Sequence, residues 1–275
     1  ALFCCTPLLA EPFTVEHLVR LDRVGAPAVS PDGAQVAYAV RKTDMEANGG
    51  RHDLWISPVA GGAARQLTRH EANDLGPQWS ADGKWLYFLS TRGERPQVWR
   101  IAPGGGEAEP VTDLPLGVGT FRLAGGDIVV SLTVWPDCSD LACSVERRKA
   151  DKESKTTGKT YDGLFMRHWD RWLDGWQSRL FVLPLRDGVA TGATPRPLTA
   201  SVDADVPSRT WGGNEEYAVS PDGKTLYFTA RLRGPSEPWS TNFDLYAVPL
   251  KGGPAENLTA DNPAWDTQPV LHPRG

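Results

Sequence analysis

A short turn motif, Ser-Pro/Ala-Asp-Gly between two apolar strands, occurs three times along this chain of 275 residues. It stands in the segments APAVSPDGAQVAYAV (26–40), GPQWSADGKWLYFLS (76–90) and EYAVSPDGKTLYFTA (216–230). Asp-Gly supplies the positive φ that a tight hairpin needs, and the alternating apolar residues that follow are typical of a half-buried strand. The motif therefore predicts a fold built from repeated antiparallel hairpins.

A second pattern follows each copy, and it also follows a degenerate copy at residues 122–134. It gives a strand, a Gly-rich turn, another strand and a closing Leu-Thr or Val-Thr. It covers residues 53–68, 97–112, 178–199 and 244–259. Two hairpins per unit make a four-stranded antiparallel blade, and the first two SxDG turns begin 50 residues apart, at Ser30 and Ser80. This interval is close to that of propeller repeats, so the sequence predicts an all-β fold, a β-propeller.

The repeats divide residues 11–275 into an incomplete β-propeller. We expect blades at about 27–68, 77–112, 119–199 and 216–259, the third built around a degenerate turn. The last residues match the opening of another copy, so a fifth blade is expected to begin at 269. A blade cannot bury its faces without its neighbours, and we therefore expect the chain to stop partway through a propeller.

The third unit carries a long insertion at about 135–177. Its charged middle, ERRKADKESKTTGKTYDG, has no apolar periodicity and predicts a solvated loop. After it, aromatic residues recur at steps of 4, 4, 3 and 4, a spacing that predicts a helix or helical turn packed on the propeller. These residues are Tyr161, Phe165, Trp169, Trp172 and Trp176.

The four cysteines form two pairs in the sequence. Cys4 and Cys5 lie in an apolar start that resembles a signal-peptide remnant over residues 1–10, although a buried N-terminal segment also fits. Cys138 and Cys143 flank a short loop. We favour a disulfide between them over two free thiols, which fits an oxidising compartment.

Composition argues against several classes of function. There are 29 Lys+Arg against 34 Asp+Glu, a net charge of -5, and a nucleic-acid binder would need a concentrated basic face. No stretch reaches the roughly 20 apolar residues of a membrane span. No CxxC, His-rich or HExxH pattern indicates a metal site, and no cofactor is expected.

The blade motif resembles two groups, the propellers of the prolyl oligopeptidase family (S9) of serine peptidases and the periplasmic TolB-like propellers. The first group is favoured by the opening FTVEHLVRLDRVGAPAVSPDG, the insertion ending RHWDRWLDGWQSRLFVLPL and the segment WGGNEEYAVSPDGK. These segments are most similar to bacterial dipeptidyl peptidase 5 and to acylaminoacyl peptidases, and the resemblance covers nearly all of the chain after residue 12.

The resemblance implies a propeller of seven or eight blades followed by a C-terminal α/β-hydrolase domain with a Ser-Asp-His triad. No G-x-S-x-G nucleophile elbow occurs in these residues, so no catalytic residue is assigned here. The implied function is that of the N-terminal part of a periplasmic or secreted serine exopeptidase, which gates and anchors peptide substrates for the hydrolase domain. The alternative is a non-enzymatic TolB-like propeller that binds a protein partner.

One acidic pair is a candidate for binding substrate. A dipeptidyl peptidase must hold a free α-amino group, and carboxylates do so through charge-assisted hydrogen bonds. In the related dipeptidyl peptidase IV group a Glu-Glu pair serves this purpose. The adjacent pair Glu215-Glu216 precedes the inner strand of a blade, and we hypothesise that Glu215, with Glu216 and Asn214, anchors the substrate amine; solvated loop carboxylates are the other interpretation.

Overall fold

A computed structural model describes residues 11–161, 166–190 and 192–272. The predicted signal-peptide remnant with Cys4 and Cys5, the aromatic Phe165 and the last residues of the predicted fifth-blade turn lie outside these ranges.

The described residues are mainly short strands. Helices are α1 (Val15–Arg20) and α2 (Leu141–Glu153), with 3-10 turns at Asn214–Glu216 and Glu237–Trp239. The strands are β1 Arg23–Val24, β2 Ala28–Val29, β3 Gln35–Asp44, β4 Gly49–Pro58, β5 Arg65–Gln66, β6 Asp74–Trp79, β7 Leu86–Ser90, β8 Gln97–Ile101, β9 Glu109–Pro110, β10 Val118–Ala124, β11 Asp127–Val134, β12 Arg167–His168, β13 Arg171–Trp172, β14 Gln177–Pro184, β15 Arg196–Pro197, β16 Tyr217–Val219, β17 Thr225–Ala230, β18 Asp244–Pro249 and β19 Glu256–Asn257.

These strands form four consecutive antiparallel sheets, which we call blades 1 to 4. Blade 1 has the order β1-β3-β4-β5 with β2 also paired to β3, and blade 2 has β6-β7-β8-β9. Blade 3 has β10-β11-β14-β15 and blade 4 has β16-β17-β18-β19, while β12 and β13 form a separate hairpin. The predicted all-β fold with four-stranded antiparallel sheets is confirmed.

The SxDG turn explains why the same four residues recur. The Ser30 hydroxyl donates to Asp32 Oδ1 at 2.5 Å, while Gly33 takes a φ of +71°. The turns at 80–83 and 220–223 repeat both features. The hydrogen bond from Ser30 lowers the pKa of Asp32, so the motif fixes a charged, solvent-facing hairpin turn.

The closing threonine of each unit has an equally specific role. In every blade its hydroxyl oxygen accepts a hydrogen bond from a backbone N–H of the third strand of the four-stranded path. This bond joins the segment after the fourth strand to the third strand. The pairs are Thr68 with Leu54, Thr112 with Val98, Thr199 with Leu180, and Thr259 with Leu245.

The core lies between neighbouring blades. One apolar cluster joins blades 1 and 2 around Phe88, a second joins blades 2 and 3 around Phe121, and a third joins blades 3 and 4 around Phe228. All three rings are fully buried. Burying apolar area between faces is the main stabilising term in such stacking, so each blade depends on its neighbours.

The sequence prediction for the insertion was wrong for the first part of its charged middle and for its aromatic end, whereas residues 154–161 form no helix or strand, as predicted. Helix α2 occupies much of the charged middle that was predicted to be a loop, because Asp140 caps its first turn and Leu141 and Val145 pack against the core between blades 2 and 3. Ion pairs at i,i+4, such as Arg147–Asp151, add to its stability.

The aromatic end of the insertion is a hairpin rather than a helix. Strands β12 and β13 pair Arg167 with Trp172 across a two-residue hairpin loop. The interval between the aromatic residues, which is close to one helical turn, here results from this loop. Trp176 is buried, whereas Trp169 and Trp172 are 77% and 52% exposed. The periodicity therefore did not mark one buried helical face.

Cys138 and Cys143 are joined as a disulfide, with their Cα atoms 5.5 Å apart. The bridge connects the end of the segment after β11 to the first turn of helix α2. It therefore fixes where that helix begins.

Candidate functional site

The candidate acidic pair lies at one end of blade 4. The 3-10 turn Asn214–Glu216 leads directly into the first strand, β16. Because successive strands of a blade run antiparallel, this turn lies at the end opposite the SxDG turn and at the same end as the connection between the second and third strands. In blade 3 that connection is the long insertion, so the insertion and the acidic turn share one end of the blades.

The Glu216 carboxylate is hydrogen-bonded within the protein. It accepts hydrogen bonds from the Ser208 backbone N–H at 2.6 Å and from the Ser208 hydroxyl at 2.5 Å. Burial raises the pKa of Glu216, and the charge of Glu215 adds to the rise. A Cβ on Gly212 would collide with this carboxylate and with the Ser208 backbone, which explains the glycine before the acidic pair.

Asn214 is also engaged internally. Its side-chain oxygen lies 2.9 Å from the Tyr217 hydroxyl, which is equally close to Thr120 on β10 of blade 3. Its backbone carbonyl accepts a hydrogen bond from Arg122 at 2.6 Å. Asn214 thus joins the acidic turn to the neighbouring blade through its side-chain oxygen and its backbone carbonyl.

Glu215 differs from its two neighbours. Its side chain is exposed, and within the described part of the chain its carboxylate has no hydrogen-bond or ion-pair partner. One carboxylate oxygen of Glu215 lies 2.7 Å from the position that a Cβ on residue 213 would occupy. Gly213 has no Cβ and therefore leaves room for this oxygen. Of the three residues suggested by the sequence, only Glu215 presents a carboxylate with its full hydrogen-bonding capacity to an incoming cation.

Aromatic residues of the insertion reach the loop that carries this turn. Trp211 packs edge-to-face against His168 and Trp169, with ring centroids 5.4 and 5.3 Å apart. On the same loop, Arg209 donates a hydrogen bond to the Trp176 carbonyl at 2.7 Å. Trp211 was not among the predicted site residues, although it stands in the sequence as the first residue of the WGG that precedes the acidic pair.

The acidic turn is a surface feature and not a deep pocket. A cavity of about 560 Å³ opens between blades 1 and 2, and residues such as Arg69, Trp99 and Glu107 line it, but none of the acidic-turn residues does.

In the described ranges no group of three His, Cys, Asp or Glu side chains is arranged to bind a metal ion. Neither helix in those ranges has the length and hydrophobicity of a membrane-crossing helix.

The internal role of Glu216 predicts a pH-dependent stability. Its pKa is raised on folding from the ordinary value of 4.5, so the folded state binds the proton more tightly and loses stability as pH rises through the raised value. Gln at this position preserves one acceptor for the Ser208 N–H but does not titrate. We expect the stability of wild type relative to Glu216→Gln to fall as pH rises above about 4, the ordinary range of a glutamate pKa.

Urea unfolding of both proteins at several pH values measures this difference. Glu71→Gln removes an exposed carboxylate in the linker between blades 1 and 2 and serves as the matched control for the loss of one charge. A stability difference that rises with pH would show that the Glu216 carboxylate is stabilised by folding, contrary to the prediction.

Comparison with known proteins gives a consistent assignment. The family description "TolB beta propeller domain" matches residues 19–117. The chain is 28% identical over 267 residues to dipeptidyl-peptidase 5 of Porphyromonas gingivalis, an alignment that covers 96% of this chain and 38% of that protein. It is 27% identical to the uncharacterized peptidase YuxL of Bacillus subtilis, over 80% of this chain and 31% of that protein.

A solved structure shares the fold. Acylaminoacyl peptidase of Pyrococcus horikoshii superposes with a TM-score of 0.57 at 14% identity, over 88% of this chain and 33% of that protein. The chain thus spans less than two fifths of the length of these relatives. The repeated blades and the peptidase relatives make the chain similar to the N-terminal propeller regions of peptidases of the prolyl oligopeptidase family.

Proposed function

We propose that this chain is the substrate-anchoring propeller of a serine exopeptidase that removes dipeptides from free N-termini. The observation that carries the proposal is the exposed carboxylate of Glu215, which has no hydrogen-bond or ion-pair partner among the described residues. It lies at the end of blade 4 that corresponds to the end of blade 3 carrying the insertion. An α-ammonium group has three donors and one positive charge, and a carboxylate satisfies both with charge-assisted hydrogen bonds.

The mechanism divides the work between two parts of one polypeptide. Glu215 binds the amine and sets the distance from the N-terminus to the scissile bond, while the blades limit access to unfolded peptide ends. Acyl transfer belongs to the C-terminal α/β-hydrolase domain, whose triad performs nucleophilic attack and proton transfer. The similarity of the chain to dipeptidyl-peptidase 5 over 96% of its own length supports this division.

The Cys138–Cys143 disulfide supports a place for the protein in the periplasm or outside the cell. Disulfides persist in oxidising compartments and are rare where glutathione and thioredoxin keep thiols reduced.

The proposal is tested with the complete protein that carries this chain and a pair of dipeptidyl anilides, one with a free amino group and one acetylated. An enzyme that anchors the ammonium cleaves the free-amine substrate at least about tenfold more efficiently, because acetylation removes a charged hydrogen-bonding group. Equal cleavage, or a preference for the acetylated substrate, would instead indicate an acylaminoacyl peptidase.

The match to the TolB propeller description over residues 19–117 favours a second candidate, a non-enzymatic propeller that binds a protein partner. The coding sequence that follows these residues distinguishes the two. A G-x-S-x-G elbow after the remaining blades supports the peptidase, and a stop codon after two or three further blades supports the binding protein.

A further inference from the structure

The tip of the insertion hairpin has an unusual backbone. Strands β12 and β13 are joined by the two residues Trp169 and Asp170, and Trp169 takes a φ of +53°. The first position of such a two-residue loop strongly favours glycine, since left-handed backbone is unfavourable for a residue with a Cβ and most of all for a bulky one. A tryptophan at this position costs conformational energy that glycine would avoid.

The strained residue is also exposed. The Trp169 side chain is 77% exposed, and its edge-to-face partner Trp211 is 62% exposed. Neither indole fills the core of a blade, so burial in the core does not compensate for the strain. Backbone strain together with exposed aromatic surface is typical of a binding element.

The two indoles lie within reach of Glu215. Trp211 is four residues before Glu215 on the same loop, so their Cα atoms are at most about 14 Å apart, and the intervening turn shortens that distance. The loop closes on itself through a hydrogen bond from the Gly212 N–H to the Ser208 carbonyl at 2.8 Å. The first side chain of a peptide whose ammonium binds Glu215 can therefore extend to Trp211 and to Trp169, which packs on it.

We propose that Trp169 and Trp211 form an aromatic platform for the first side chain of the peptide, so that the substrates are free-amine peptides beginning with an aromatic or large apolar residue. The proposal rests on the proposed function, since Glu215 places the peptide. Indole faces and edges bind aromatic side chains in tilted or stacked geometry, and the negative charge of Glu215 beside them complements the ammonium.

Two variants test the platform in the complete protein. Trp169→Gly removes one indole and relaxes the left-handed backbone, so the hairpin is retained, and Trp211→Ala removes the other. The substrates are free-amine Phe-Ala and Gly-Ala p-nitroanilides, which differ only in the first side chain. Both variants are expected to lower the ratio of kcat/KM for Phe-Ala over Gly-Ala by about fivefold to tenfold.

Trp265→Ala is the matched control. This indole is also 62% exposed, but it stacks on Phe243 and has no ring contact with the platform, so the Phe-Ala to Gly-Ala ratio should stay at the wild-type value. An unchanged ratio in both platform variants, or an equal loss for both substrates, overturns the platform. The ratio of kcat/KM for free-amine over acetylated substrate reports on Glu215 separately. If that ratio is retained while the platform variants show no change in the Phe-Ala to Gly-Ala ratio, the platform is wrong and the proposed function is unaffected.

Discussion

Replacing Glu215 by Gln is expected to lower kcat/KM for free-amine dipeptidyl substrates by about 10- to 100-fold. The amide retains an oxygen acceptor but loses the negative charge. Hydrogen bonds to charged groups contribute about 1.5–3 kcal/mol, which corresponds to a change in kcat/KM of about 10- to 100-fold. The loss should appear mainly in KM, because the ammonium is bound equally in the ground state and in the transition state. Steady-state kinetics of the complete protein measures it.

Two comparisons make this result specific. Glu71→Gln removes an exposed carboxylate from the corresponding linker two blades away and should leave the kinetics unchanged. For an acetylated substrate, which has no ammonium, Glu215→Gln should have little effect. If KM for the free-amine substrate did not change in Glu215→Gln, the carboxylate would be an ordinary solvated group and the anchoring role would be wrong.

The blade pattern could be predicted because its physics is local. In the SxDG turn the serine and aspartate bond each other within four residues, and the glycine provides the positive φ. The closing threonine accepts from a strand 14 residues earlier in three blades, for example Leu54 for Thr68. Both interactions need only neighbouring segments of one blade, so they leave a repeated signature in the sequence.

The insertion could not be predicted because tertiary contacts decide its structure. Helical spacing of aromatics and the turn of a short hairpin give similar intervals, and burial alone separates them. Trp176 is buried against Trp135, with rings 5.7 Å apart, whereas Trp169 faces outward. Helix α2 forms in a charged segment because two apolar residues, Leu141 and Val145, reach the core between blades 2 and 3.

The acidic pair shows the same limit at the level of the site. From the sequence, Glu215 and Glu216 are equivalent carboxylates in a glycine-containing loop. Their difference arises from Ser208, whose N–H and hydroxyl both donate to Glu216, and this contact depends on the loop folding back at Gly212. The position of the pair was predictable, but the division of roles between the two residues was not.

Tyr217 connects the acidic turn to the core, and its removal should have the largest effect on stability. It is fully buried between blades 3 and 4, and its hydroxyl lies 2.9 Å from both Thr120 and Asn214. Tyr217→Ala should lower the free energy of unfolding by about 3–5 kcal/mol, the range for removing a large buried aromatic side chain. Tyr217→Phe removes only the hydroxyl and should cost about 1 kcal/mol.

Denaturant unfolding at constant pH measures both losses as shifts in midpoint with an unchanged m-value. Tyr227→Ala, on the neighbouring strand β17, removes a partly exposed ring and should cost clearly less than Tyr217→Ala. Equal losses in Tyr217→Ala and Tyr227→Ala would mean that blades 3 and 4 do not pack on Tyr217. In Tyr217→Phe the hydroxyl's bonds to Asn214 and Thr120 are lost while the core keeps its ring, so a raised KM in that variant would show that the hydroxyl positions Glu215.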